Sequence, residues 1–97
     1  MNAWQIEQAR LSLLRYLNEA APFGLGEPLL LQCLRCEGWT ALDQDLVREL
    51  NYLRDKGLVE SVPKIISPEN SSWRITAGGR DFLARKARAA ASSEFGP

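Results

Sequence analysis

Apolar residues recur at helical spacing along the first stretch of the chain. Ile6, Ala9, Leu13, Leu14, Leu17 and Ala20 gather on one side of a helix running from about Ala3 to Ala20. The segment Pro22-Phe23-Gly24-Leu25-Gly26 stops it. Trp4 and Leu11 lie seven residues apart on a different edge, where they either widen the core face or make a self-association surface. Glu27-Pro28 opens a short second helix, because proline is tolerated in a first turn and an acid there complements the helix dipole. Leu30, Leu31 and Leu34 form its buried side, Gly38 ends it, and Trp39 in the following turn reads as a core plug. A third helix begins at Thr40, with Asp43 at the acidic end of a capping-box-like pair. Leu42, Leu46, Leu50 and Leu53 follow at spacings of four, four and three, so they point to the core, and Gly57 suits the left-handed residue that closes a helix. Leu58-Val59-Glu60-Ser61-Val62 reads as a strand bounded or kinked by Pro63, with Lys64-Ile65-Ile66 as an extension. The turn formers of residues 67–71 lead into a returning strand, Ser72 to Ile75. Thr76 caps a last helix through about Ala89, with Phe82, Leu83 and Ala87 inward.

This order of three helices, a hairpin and a further helix predicts an α+β, mainly helical fold. It is that of a winged helix-turn-helix, with three helices, a two-stranded wing and a C-terminal helix. Residues 1–91 are expected to form one domain and residues 92–97 a frayed tail.

The surface left over follows from a turn of 100° per residue. With the leucines inward, Gln44, Arg48, Asn51 and Asp55 face outward and Tyr52 lies beside them. Arginine suits the acceptors of guanine, and asparagine and glutamine match the donor–acceptor pair of adenine. Asp43, Asp45 and Glu49 in the same helix would repel phosphates, so a phosphate grip would draw on Lys64 and Arg74 in the wing and on Arg80, Arg85, Lys86 and Arg88 in the last helix. The alternative for that last basic stretch is a solvated face complementing the negative end of its own helix.

Composition narrows the chemistry. Twelve basic and twelve acidic residues in 97 cancel, which argues against a general polyanion binder held by whole-protein charge. The start lacks a signal peptide and no apolar run approaches the ~20 residues needed to cross a bilayer, so a cytoplasmic location with no membrane partner is expected. With no histidine the commonest general base near neutral pH is missing, and the acids are scattered singly. Neither Gly24-Leu25-Gly26 nor Gly78-Gly79 has the context of a phosphate loop, so no enzyme and no cofactor are expected. Cys33 and Cys36 have C-x-x-C spacing, but four zinc ligands cannot be assembled from them. They read as a reduced pair partly in the core, with redox sensing as the rival and no metal expected.

The run Leu46 to Val59, followed by Trp73-Arg74-Ile75-Thr76-Ala77-Gly78-Gly79-Arg80-Asp81-Phe82-Leu83, resembles small bacterial winged-helix proteins of the multiple-antibiotic-resistance and PadR type. A small prophage-encoded protein of this fold would look similar. The resemblance spans about Ala3 to Arg88 and implies a DNA-binding transcriptional regulator of bacterial or phage origin that acts on double-stranded DNA as a homodimer. It makes the third helix the recognition helix, with Gln44, Arg48, Asn51 and Tyr52 as groove contacts. Lys64 and Arg74 become wing contacts to phosphate and the terminal helices a dimer surface, while the residues themselves add Arg80 as a phosphate contact from the last helix and Trp4 and Leu11 as the self-association edge. The chain departs from the pattern in its acidic third helix, and no ligand-binding domain is expected after the wing. A winged helix used for protein contacts without DNA is the alternative.

Overall fold

The computed structural model describes residues 2–40, 43–62 and 72–95, with the side chains of the last helix described as far as residue 89. Helix α1, Ala3–Ala20, starts where predicted and carries a capping box: the Asn2 side chain accepts from the Gln5 amide at 2.8 Å, and the Gln5 side chain accepts from the Asn2 amide at 3.0 Å. Its buried side is Ala9, Ser12, Leu13, Leu14 and Leu17, while Ile6 and Ala20 are only half-buried.

The segment read as a helix stop does more than stop a helix. Leu25–Gly26 forms a short strand, β1, antiparallel to a later strand, with Leu25 opposite Trp73 and Gly26 opposite Ser72. Helix α2, Glu27–Cys36, follows at once with its proline in the first turn and Leu30, Leu31 and Leu34 buried. Helix α3 spans Asp43–Asp55. Thr40 is exposed and non-helical, and Leu42, expected to point inward, lies outside the described residues. Leu46, Leu50 and Leu53 are buried as their spacing requires. Each fully buried leucine contributes about 1.5–3 kcal/mol relative to an exposed one.

Gly57 has φ 75°, the left-handed conformation expected after α3. Strand β2, Val59–Val62, pairs with β3, Ser72–Ile75, with Val59 opposite Ile75 and Ser61 opposite Trp73. The sheet has the order β1-β3-β2, so the expected hairpin gains a third strand. Val59, Trp73 and Ile75 close the core from below α1, α2 and α3, with Trp39 packed against it. The Trp73 indole also donates to Glu27 Oε2 at 2.9 Å, tying the sheet to the first turn of α2.

Helix α4 is Ala77–Phe95, longer than the expected end near Ala89, and the run Ala89-Ala90-Ala91 suits continuation because alanine is the best helix former. Thr76 Oγ1 accepts from the Gly79 amide at 3.0 Å, the expected cap, and also donates to the Gly57 carbonyl at 2.6 Å. Phe82 and Leu83 pack against the core, but Ala87 is exposed rather than inward. The helix lies beside α1, where Lys86 reaches Glu7 at 3.6 Å, and its side chains from Ala84 to Ala89 are exposed.

Candidate nucleic-acid interface

Because α3 buries its leucine side, its other side is open. Gln44 and Arg48 are exposed, Asn51 is half-buried, and Tyr52 is 39% exposed, with Asp43 and Asp55 at the two ends of the same face. The structure therefore brings the four predicted groove residues together on one shallow surface, joined by Val47.

Two of the four are not free side chains. Arg48 Nη2 lies 2.8 Å from Asp45 Oδ1, one turn back on the helix, and its Nε lies 3.4 Å from Glu49 Oε2. Tyr52 lies beneath a cation, the Arg10 guanidinium of α1 standing 3.6 Å from the ring centroid, with Lys56 at 5.6 Å on the same ring. Arg10 also pairs with Glu49, Nε to Oε1, at 2.6 Å.

Glu49 is the residue that sequence reasoning missed. It is buried at 4% exposure, whereas its place among the acids of α3 marks it only as a repeller of phosphate. A signal was present. Glu49 falls three residues after Leu46, on the buried side, and Arg10 falls four before Leu14 on α1, so each core stripe carries one charge of opposite sign. What that pattern lacked was the packing of α1 on α3.

In the hairpin, Arg74 faces Glu60 across the β2–β3 pair and is ion-paired with it, both side chains about half exposed. Arg80 is exposed near the start of α4, and Lys64 lies outside the described residues. The two expected dimer residues, both on α1, differ in exposure. Trp4 is 66% exposed, whereas Leu11 lines a cleft of about 670 Å³ between α1, α3 and α4, with Leu14, Leu53, Leu58 and Phe82.

The cysteines are free, Cys33 half-buried and Cys36 exposed. Burial first, then the neighbouring Cys36, Glu37 and Glu19, pushes the Cys33 thiol up from its ordinary value, so it is a poorer nucleophile than an open cysteine. Among the described residues no group of three or more histidine, cysteine, aspartate or glutamate side chains is placed to hold a metal. Also among them, no helix is long and apolar enough to cross a membrane.

Comparison with solved structures decides the architecture. A Staphylococcus aureus MepR mutant bound to an oligodeoxyribonucleotide matches with a TM-score of 0.74 at 15% identity, over 89% of this chain and 59% of that one. The chain folds as a winged helix. A PadR-like transcription factor from Bacteroides fragilis shares this winged helix with a TM-score of 0.75 at 15% identity, over 94% of this chain and 87% of that one. A MarR family transcription regulator does so with a TM-score of 0.68 at 20% identity, over 90% and 54%. The winged helix thus spans less than two thirds of the MepR and MarR family chains. No family model matches the sequence, and no curated protein matches it.

Proposed function

We propose that this winged helix binds double-stranded DNA and regulates transcription, as a homodimer and without enzymatic activity of its own. One observation carries the reading. Gln44, Arg48 and Asn51 share the open face of α3, in a fold that a MepR mutant also has when bound to an oligodeoxyribonucleotide. These residue types match the edges of guanine and adenine in the major groove, with Tyr52 at the border of the contact. Phosphate would be met by Arg74, exchanging Glu60 for it, by Arg80 and by Lys64. A DNA ligand in turn implies a cytoplasmic protein.

A homodimer formed through Trp4 and Leu11 would double the contacts and let a two-fold protein read a two-fold site. Fluorescence anisotropy against mixed genomic fragments is the test. Binding should be measurable at ~50 mM salt and should fall steeply by ~200 mM. Absence of binding at the lower salt, where phosphate contacts are strongest, would leave a winged helix used for protein contacts.

A further inference from the structure

Ser12 and Glu49 are the buried polar side chains among the described residues, and Glu49 is the charged one of the two. Its carboxylate is divided. Oε1 takes the Arg10 guanidinium at 2.6 Å from the α1 side, and Oε2 stands 3.4 Å from Arg48 Nε on the open face of α3. We propose that Glu49 sets how far Arg48 is free to meet a base or phosphate, and that Arg10 controls this by occupying the other oxygen of the same carboxylate. Arg10 and Glu49 are thus positioning residues for Arg48, and the inference rests on the DNA reading given above.

A carboxylate at this depth is costly to leave unpaired. Arg10 satisfies most of that demand, since its contact is much the shorter one. Its own place is set independently of Arg48, by stacking on Tyr52 at 3.6 Å and by the packing of α1, which leaves its side chain 28% exposed. With Oε1 satisfied, Arg48 is held only loosely at Oε2 and remains 65% exposed. If Arg10 let go, the buried charge would draw Arg48 down against α3, where Asp45 already holds the far end of the guanidinium at 2.8 Å. If instead Glu49 lost its charge, Arg48 would keep the Asp45 contact and swing more freely. A merely structural ion pair between α1 and α3 would change stability and leave Arg48 as it was.

The test uses the full chain in two measurements: NMR of the Arg48 Nε–H in the free protein, and anisotropy against mixed genomic DNA fragments at ~50 mM salt. In Glu49→Gln the Arg48 Nε–H should exchange about threefold or more faster, and DNA should bind about three- to tenfold tighter, the range expected for coupled neighbours. Arg10→Gln should move both in the opposite direction. If that variant does not fold, Arg10→Lys, which keeps the charge but loses the Nε contact, should shift the Arg48 signal the same way by a smaller amount. The gain in Glu49→Gln should vanish in an Arg48→Ala background. A gain that persisted there would reflect the removed negative charge alone and would overturn the proposal, as would an Arg48 signal unmoved in both variants. An Arg48 signal that responds as expected, in a protein that binds no DNA, would support the control of Arg48 by Arg10 and Glu49 and would reject the DNA reading instead.

Discussion

Tyr16 fastens α1 to the end of α2 through a single proton. Its hydroxyl donates to Glu37 Oε2 at 2.5 Å, while Oε1 of the same carboxylate accepts from buried Ser12 at 2.9 Å. Ser12 in turn accepts from Arg15 at 3.1 Å, and among the described residues no buried side-chain nitrogen or oxygen lacks a partner. The hydrogen bond to Glu37, helped by burial, pushes the Tyr16 phenol up to about 12 from an ordinary 10.0. The folded state therefore holds this proton more tightly than the unfolded chain does. The resulting stability is fully present below about pH 10 and is lost as the pH rises through about 12. Urea titrations should show wild type more stable than Tyr16→Phe by a constant margin up to about pH 10, with the margin closing above it. A margin that is flat to pH 12 would show that the phenol proton does not hold α1 to α2.

At the scale of elements, the hairpin and α4 are joined by backbone contact as much as by side chains. Thr76 bridges the Gly57 carbonyl and the Gly79 amide, so one hydroxyl ties the end of α3 to the start of α4. Gly79 is buried there because a Cβ would run into the Leu58 carbonyl and would meet Ile75 Cγ1 at 2.6 Å. Neither neighbour is free to give, since one is backbone and the other is core. Gly79→Ala should lower stability by about 1–3 kcal/mol in urea denaturation, the usual cost of overpacking. Gly78→Ala, whose Cβ would approach the Gly57 carbonyl at 3.2 Å, should cost less. If the two cost the same, close packing at Gly79 is not what holds α4 to the sheet.

For the whole molecule, the equal numbers of acids and bases take on structural meaning. Arg10 and Arg48 share Glu49, Arg74 faces Glu60, and Lys86 reaches Glu7, so much of the positive charge is already answered within the chain. DNA would have to compete for these groups, and pairing two copies is one way to gather enough contacts. At micromolar concentration, sedimentation equilibrium should give twice the 10.9 kDa chain mass, and Trp4→Ser should return it to one copy. A wild-type chain that sediments as a monomer at that concentration would remove the dimer.

Helical periodicity alone determined that Leu46, Leu50 and Leu53 turn inward and that Gln44 and Arg48 turn outward. It did so because 100° per residue is a local rule, needing no knowledge of the rest of the chain. Turn chemistry likewise placed Gly57 and Thr76. Strand β1 escaped this reading, since two residues carry no alternation and Leu25–Gly26 is a strand only because the backbone of β3 lies beside it. The exposure of Ala87 escaped it too, because an alanine-rich helix has no strong stripe to say where it leaves the core. Above all, only the tertiary structure decided that Glu49 is buried, that Tyr52 is stacked and that Arg48 is held at Asp45 and Glu49. The partner that settles the first two, Arg10, is 39 residues from Glu49 along the chain, and no local period reports a charge that distant.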